Sequence, residues 1–494
     1  MQIINNRKNC RESGGKRGKK RMGLEQSRQK TSPFGLKDKI GYMLGDFGND
    51  FTFLFAQMYL MVFCTDVLGI GAGVVGIILM AARIVDAFTD TAMGRICDTA
   101  KPSKDGRFRV WIKRMAIPMG VSSMLIYMYW VKDFPMPVKI AWVLVTYILW
   151  GSFFYTACNI PYGSMSSVIT NNAKERASLS VFRTVGAVMA GMIIGMVTPQ
   201  LVYRANEAGQ QVIIPERVTL VAVIYGVLAA VFYLACYKLT TERVQIQAEK
   251  VSENKNVGLG ETLKQLAGCK PLLVIIGVAI LLLIGSLLTS TMNTYLYKDY
   301  FNNTQIMALA SLTSTVSMLL MAPLASRLAG KFGKKEVCSV GVLLSAVIFI
   351  TLWALRIQSP MVFIVLIFIS NIGMGLMSML TWAFLADVID YQEVQSGQRS
   401  DGSVYGIYSF SRKLAQAAAG GLGGFVLVAI GYVSSVEGIE QTQSVKDGIY
   451  NCSTLLPGIC YLAVFLLLWL VYPLGKKQVD ENARVLEERR QVSK

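Results

Sequence analysis

The sequence predicts an all-α membrane protein with twelve transmembrane helices in two halves of six. Hydrophobic residues make up 53% of the 494 residues and charged residues only 16%, whereas a soluble chain carries about 25% charged residues. The apolar runs reach the ~20 residues that a helix needs to cross a bilayer. An outer-membrane barrel is excluded, because its strands would be ~10-residue segments of alternating polarity.

The apolar runs fix the order of the predicted helices. They cover 40–65, 72–96, 110–131, 138–167, 179–202, 217–238, 271–297, 305–329, 336–356, 360–388, 404–432 and 449–473. The polar segment 239–270 divides them six from six. The predicted domains are a disordered basic extension (1–37), two six-helix halves (38–238 and 271–473) joined by a central loop (239–270), and a tail (474–494).

The net charge of +18 is distributed as in a membrane protein. Basic residues cluster in every second loop, as Lys101, Lys104, Arg107, Arg109, Lys113 and Arg114, then Lys174 and Arg176, then Lys331, Lys334 and Lys335. By the positive-inside rule, both termini, the central loop and the tail are cytoplasmic in a multi-pass protein of the plasma (inner) membrane. Membrane lipid is therefore an expected partner. Nucleic acid is not, because a basic soluble module with stacking aromatics is missing.

Cysteine and histidine usage limits the possible chemistry. The nine cysteines form no CxxC pair, and histidine is absent. Any proton relay must therefore use carboxylates, and we expect no cofactor beyond a coupling cation.

Four aspartates lie inside the first two apolar runs, where a charge costs at least ~2.5–3.5 kcal/mol. Asp46 and Asp50 are spaced i, i+4, as are Asp86 and Asp90, so each pair shares one helix face about 6 Å apart. We interpret them as the polar centre of a transporter. Arg83 shares the face of Asp86 and Asp90. Such a carboxylate pair suits Na⁺ or a shared proton, the alternative being a structural ion pair with Arg83.

Two basic turns occupy equivalent places in the two halves. Residues 94–98 lead into 104–109 after the second run, and residues 327–335 follow the eighth run. Both combine glycine with clustered lysine and arginine. This repeat resembles the inter-helix loop motif of the major facilitator superfamily, whose halves rock around a midplane site.

A closer resemblance covers about residues 38–430. It is carried by 42–50, 82–94, 106–111, 159–164, 175–179, 386–393 and 405–413, in order and at matching helix positions. These segments are similar to the glycoside–pentoside–hexuronide:cation symporter family. The resemblance implies the major facilitator fold and symport of a sugar with a cation.

The resemblance implies a cation site on the second and fourth helices. Asp86 and Asp90 match the paired carboxylates, which would hold Na⁺ or H⁺, and Thr156 matches a hydroxyl contributor. Thr89 stands where the family pattern has an asparagine. The coupling cation is therefore open between Na⁺, Li⁺ and H⁺.

The resemblance also implies a sugar site. Its residues would be Asp50, Arg183 and Lys413, with Lys413 between the two sites, and Asn159, with Tyr155 and Trp382 as lining aromatics. Asn159 replaces an aspartate of the galactoside pattern, and Gly163 replaces a tryptophan. The amide still bonds hydroxyls but adds no charge, which predicts a roomier pocket and poor use of galactosides.

Acidic residues end the tenth helix at its cytoplasmic side. They are Asp387, Asp390 and Glu393. Pairs with the loop residues Lys174, Arg176 and Arg327 would close an inner gate in the outward-facing state. The alternative is ordinary interfacial charge, because exposed pairs contribute only ~0–1 kcal/mol each.

Taken together, the residues predict a cation-coupled symporter that imports a glycoside, pentoside or hexuronide sugar by alternating access, acting as a monomer and not as an enzyme. A carrier of another amphiphile or organic anion is an alternative. A membrane-embedded glycosyl or lipid transferase is disfavoured, because 239–270 has no catalytic constellation. A sugar sensor that does not transport sugar would have the same sequence features as a carrier, and only a flux measurement would separate the two.

Overall fold

The computed structural model describes residues 33–99, 103, 105–170, 172–207, 210–244, 269–396, 401–434 and 440–492. Most of the predicted extension 1–37 and of the central loop 239–270 lies outside these residues. The described part contains twelve long helices, a terminal amphipathic helix and one two-stranded hairpin.

The first six helices form the N-terminal half. They are α1 Leu36–Val62, α2 Ala72–Thr99, α3 Arg109–Leu125, α4 Met136–Ile169, α5 Ala173–Val202 and α6 Pro215–Leu239. Helix α1 continues as a π-helical turn, Phe63–Val67, and α4 contains a π-helical stretch, Leu149–Tyr155. A short antiparallel hairpin of β1 Tyr203–Ala205 and β2 Gln211–Ile213 joins α5 to α6.

The next six helices form the C-terminal half. They are α7 Lys270–Tyr295, α8 Ile306–Phe332, α9 Lys334–Leu355, α10 Pro360–Ser396, α11 Asp401–Ala429 and α12 Gln443–Leu466. Helix α13, Lys476–Val492, packs against α10. This helix lies in the segment predicted as a tail. No apolar run predicts it, because most of its residues are charged.

The predicted all-α membrane fold is confirmed. Ten of the described helices are long and apolar enough to cross a membrane. The other two of the twelve are α3 and α11. Helix α3 has only 17 residues, and α11 carries Arg412 and Lys413 in its interior. Because the number of long helices is even, α1 begins at the same end of the bundle where α12 finishes. We call this the terminal end, and the opposite one the far end.

The two halves meet along three helix pairs, α1 with α7, α2 with α11 and α5 with α8. Small residues let the α2 and α11 backbones approach closely. A Cβ added at Gly424 would collide with the Ala72 carbonyl oxygen, and one at Gly76 would lie 2.8 Å from the Gly421 carbonyl oxygen. Glycine at these positions therefore fixes how closely the halves pack.

A buried charge cluster joins the halves at the far end. The Lys298 ammonium, beyond α7, is paired with the Asp66 carboxylate, beyond α1, and lies 3.3 Å from the Asp299 carboxylate. The Tyr432 hydroxyl, after α11, donates to Asp66 at 3.1 Å. Lys298 and Asp66 are buried, so removing one partner would leave an uncompensated buried charge. The cluster thus ties the two halves together at the far end.

At the terminal end, the first of the two basic turns is tied to the end of α6. Gly106 adopts φ +105°, a conformation that glycine accepts without steric cost. The turn then presents three successive amides, of Arg107, Phe108 and Arg109, to the Glu242 carboxylate at 2.7–2.9 Å. The Arg109 guanidinium donates to the Tyr237 carbonyl at 2.5 Å.

The second basic turn repeats this arrangement in the C-terminal half. Gly333 has φ +104°, and the Lys335 ammonium donates to the Tyr472 carbonyl, just after α12, at 2.6 Å. In each half, therefore, a basic side chain at the start of the third helix satisfies a carbonyl at the end of the sixth. Such carbonyls lack intrahelical partners, so each turn braces its own half.

We predict that Glu242→Ala lowers the free energy of unfolding by roughly 1–2 kcal/mol, because the start of α3 loses its carboxylate cap. Thermal unfolding of the detergent-solubilised protein measures this loss. Glu207→Ala, at an exposed position, is the control and should unfold like the unmodified protein. Equal unfolding temperatures for all three proteins would contradict the capping role.

Candidate functional site

The aspartates of α1 and α2 lie near the middle of their helices, where both halves contribute to one polar region. Asp86 and Asp90 are each partly buried, with side chains 17% and 20% exposed. Their ligands come from α4 and α11 as well as from α2. The region is therefore shared by the two halves.

The Asp86 and Asp90 carboxylates each accept a hydrogen bond from an α4 hydroxyl. Ser152 Oγ donates to Asp86 Oδ1 at 2.5 Å, and Thr156 Oγ1 donates to Asp90 Oδ1 at 2.7 Å. Ser152 lies in the π-helical stretch and Thr156 follows it. Such stretches are frequent at functional sites. The structure thus brings together three of the four predicted cation ligands and adds Ser152.

Two basic side chains complete the surroundings of this carboxylate pair. Arg83 Nη1 lies 3.3 Å from Asp86, and the Lys413 ammonium of α11 lies 2.7 Å from Asp90 Oδ2. The position of Lys413 beside the carboxylates agrees with the place that the resemblance gives it. The Asp90 carboxylate thus has a single positive charge beside it, which is the ammonium group of Lys413.

Thr89, the fourth predicted cation ligand, faces its own helix. Its hydroxyl donates to the Val85 and Asp86 carbonyls at 3.2 Å each. A direct part for Thr89 in the cation site stays a prediction.

On α1, the predicted sugar-binding arginine pairs with Asp46. Arg183 Nε lies 3.0 Å from Asp46 Oδ1, and Arg183 is 41% exposed. Asp50 instead accepts a hydrogen bond from Asn49 at 3.1 Å. Asp50 and Arg183 therefore belong to one polar region, with Asp46 as the direct carboxylate partner of the guanidinium.

Asn49 links three helices and positions Asp50. Its amide donates to the Tyr155 hydroxyl of α4 at 3.0 Å and accepts from the Tyr233 hydroxyl of α6 at 2.7 Å. The sequence interpretation assigned no role to Asn49 or to Ser152. Their signals were available, since Asn49 adjoins Asp50 and Ser152 lies one helical turn before Thr156.

Asn159 and Gly163 leave space beside α4. Asn159 is half-buried, and its side chain has no hydrogen-bond partner among the described residues. A Cβ added at Gly163 would meet no atom within 4 Å. A roomier sugar pocket at these two positions stays a prediction.

Trp382 lies on α10, apart from the α1 and α4 residues. Its ring is packed edge-to-face against Tyr408 at 5.8 Å between centroids, and the Arg412 guanidinium lies 5.5 Å from it. Trp382 is half-exposed. Arg412, which contacts the Trp382 ring, directly precedes Lys413 in the sequence. A contact of Trp382 with sugar remains a prediction.

The predicted gate residues lie at the terminal end of α10, where Asp387 pairs with a basic residue of its own half. Asp387 pairs with Lys334 of α9 at 2.6 Å, because the start of α9 packs directly against α10 within the same half. The side chain of Lys174 lies outside the described residues, and Arg176 is exposed. A gating role for Asp387, Asp390, Glu393 and Arg176 stays a prediction.

Comparison with known proteins agrees with this architecture. The family described as MFS/sugar transport protein matches residues 41–476. The chain is 30% identical to an uncharacterized symporter of Bacillus subtilis, covering 93% of this chain and 96% of the relative. It is also 30% identical to a glucuronide carrier protein homolog of Escherichia coli, covering 92% and 96%.

Further similarities extend the picture. An isoprimeverose transporter of Lactiplantibacillus pentosus is 31% identical, covering 81% of each chain. Among solved structures, a D-xylose-proton symporter superposes with a TM-score of 0.61 at 14% identity, covering 89% of this chain and 97% of that one. This last likeness shows the fold alone.

Three findings point to the same family. The family match covers nearly the whole chain, relatives of that kind are about 30% identical, and the helices form two halves of six. The chain is a membrane transport protein and not an enzyme. It belongs to the MFS/sugar transport protein family.

Proposed function

We propose that this protein is a cation-coupled symporter that imports a glycoside-type sugar by alternating access. The observation that carries the proposal is the contact of Lys413 with Asp90 at 2.7 Å. It places a monovalent cationic group from one half against a carboxylate of the other half. A Na⁺, Li⁺ or H⁺ bound between Asp86 and Asp90 would neutralise the same carboxylates and release Lys413.

The cation and sugar regions adjoin through neighbouring residues of α4. Thr156 binds Asp90, while Tyr155 binds Asn49, which in turn donates to Asp50. A cation that orders Thr156 therefore also orders the donors around Asp50. By linkage, if the cation raises sugar affinity, sugar raises cation affinity by the same factor.

The closed far end supports access from the terminal end. The Lys298 cluster is buried between the halves, whereas Arg183 and Lys413 are 41% and 32% exposed. By the positive-inside rule the terminal end is cytoplasmic in the plasma (inner) membrane. The conformation would then be inward-facing, and outward opening would require the Lys298 cluster to separate.

Two basic side chains beside the sugar region favour a carboxylated sugar as a second candidate substrate. A guanidinium such as that of Arg183 can bind a sugar carboxylate in a bidentate fork, and Lys413 adds an ammonium. Similarity to a glucuronide carrier protein homolog and to an isoprimeverose transporter leaves both charged and neutral glycosides as candidates.

We predict that Asp86→Asn and Asp90→Asn each abolish cation-stimulated uptake, because each removes one of the two negative charges that would bind the cation. Uptake into proteoliposomes, with Na⁺, Li⁺ and pH gradients varied over a panel of glycosides, measures this dependence. Asp133→Asn, at an exposed position, is the control. Unchanged cation dependence in both test variants would overturn the site, and the absence of any glycoside flux in the unmodified protein would overturn symport.

Lys413→Met should raise the affinity for the coupling cation about tenfold or more, because the resident ammonium no longer competes for Asp90 and charged hydrogen bonds contribute roughly 1.5–3 kcal/mol. Sugar should strengthen cation binding less than in the unmodified protein, since only the α4 connection between the two sites would remain. Titration calorimetry on the purified protein measures both effects. Lys477→Met, at an exposed position of α13, should bind cation normally, and weaker cation binding by Lys413→Met would contradict competition.

Asn159→Asp and Gly163→Trp should together move substrate preference toward galactosides while cation coupling persists. The aspartate restores an acceptor charge, and a Cβ at Gly163 meets no atom within 4 Å. The measurement is the ratio of melibiose uptake to xyloside or glucuronide uptake. Efficient melibiose uptake by the unmodified protein would show that these two positions do not set specificity.

A further inference from the structure

A small cavity of about 60 Å³ lies between the two halves, next to the carboxylates of α2. Helices α1, α2 and α4 form one side of it, and α7 and α11 form the other. The volume is far below the ~300–1,000 Å³ of cavities that hold organic ligands, whereas one water molecule needs only ~10–15 Å³ of such space. The cavity therefore has room for a small ion and not for a sugar ring.

The polar groups that line this cavity have unused hydrogen-bond donors. The Arg83 guanidinium donates from Nη1 to Asp86 at 3.3 Å, and its other N–H groups have no hydrogen-bond partner among the described residues. The amides of Gln57 on α1 and Gln416 on α11, and the hydroxyl of Tyr147 on α4, likewise form no hydrogen bond with the described residues. Polar groups inside proteins are normally paired, so these donors point to a bound acceptor.

The charge of the lining favours an anion as that acceptor. Among the described lining residues Arg83 carries the only charge, because no Asp, Glu or Lys lines the cavity. A guanidinium donates hydrogen bonds and cannot accept them, and its planar fork suits anionic partners. Apolar side chains such as Phe53 and Leu79 form the rest of the wall, so the positive charge is weakly screened there.

The cavity adjoins the proposed cation site through Arg83. Two carboxylates, Asp86 and Asp90, are balanced here by two basic groups, Arg83 and Lys413. A coupling cation bound between the carboxylates would add one positive charge to this balanced group. Because an excess charge in apolar surroundings is costly, an anion beside Arg83 would restore neutrality and favour cation binding.

We propose that this cavity binds a small monovalent anion together with the coupling cation. The anion accepts hydrogen bonds from Arg83, Gln57 and Gln416, and it replaces Asp86 as the counter-charge of the guanidinium when the cation takes that carboxylate. By linkage, each ion then raises the affinity for the other by the same factor. The coupling rests on the proposed cation site, whereas anion binding requires only the cavity. A free chloride ion and the carboxylate of a sugar acid offer these donors the same chemistry.

The test removes the charge and one neutral donor separately. Arg83→Gln removes the guanidinium, and Gln416→Leu removes an amide while the charge stays in place. Replacing an unpaired amide by an apolar group of similar size should cost little stability, so Gln416→Leu should fold. The matched controls are Arg484→Gln on α13 and Gln443→Leu on α12, both exposed and absent from the cavity wall.

The measurement is a calorimetric titration of the purified protein with choline chloride, at constant ionic strength in choline methanesulfonate. It is repeated with Na⁺, with Li⁺ and at lowered pH. We expect the coupling cation to tighten chloride binding about fivefold or more, as couplings between sites typically do. Arg83→Gln should abolish chloride binding, and Gln416→Leu should weaken it about tenfold, because a hydrogen bond to a charged group is lost. Both controls should bind chloride like the unmodified protein.

Titration with glucuronate, and with glucose as its neutral counterpart, distinguishes the two sources of the anion. Competition of glucuronate with chloride, lost in Arg83→Gln, would support the proposal with a substrate carboxylate as the anion. Chloride binding without competition would support it with a free inorganic anion.

Binding of chloride and glucuronate that neither Arg83→Gln nor Gln416→Leu weakens, or no binding of either, would overturn the anion site. Cation-dependent sugar uptake in the same preparation would then leave symport standing. A chloride affinity that no cation changes would overturn the coupling. Chloride binding that depends on Arg83, in a protein without sugar flux, would support the anion site and overturn symport.

Discussion

A carboxylate inside an apolar helix must find a partner, and the arrangement of this protein depends on how that requirement is met. Asp90 is satisfied by Thr156 of α4 and by Lys413 of α11. One ionised group therefore ties together helices from both halves. Because the desolvation of such a charge costs several kcal/mol when its partner is removed, the coupling cation proposed to replace Lys413 would change what holds the halves together.

The same requirement gives the two ends of the bundle different properties. At the far end, Lys298 and Asp66 are buried partners from opposite halves, so opening there must separate charges or expose them to water. At the terminal end, the Arg109 and Lys335 braces each stay within one half. Each half is thus stiffened internally, while the contacts between halves depend on partners that can be exchanged, as rocking around a central site requires.

The halves also differ in the chemistry that they offer a substrate. The N-terminal side presents Asp50 and the Asp46–Arg183 pair, whereas a cavity of about 310 Å³ lined mainly by α7, α8 and α10 presents the neutral amides of Asn293 and Asn371. Charged hydrogen bonds are stronger, but neutral amides discriminate by geometry at a lower desolvation cost.

The sequence by itself determined the helical membrane fold, since apolar runs of bilayer length have few other solutions. It also predicted, through helical spacing and family resemblance, that Asp86, Asp90 and Thr156 lie together, and Thr156 does donate to Asp90. Only the tertiary structure decided which charges are partners, because pairing between helices depends on rotation and packing that spacing along one helix does not contain. Arg183 thus binds Asp46, and Asp387 binds Lys334, although no single segment of the sequence encodes either pair.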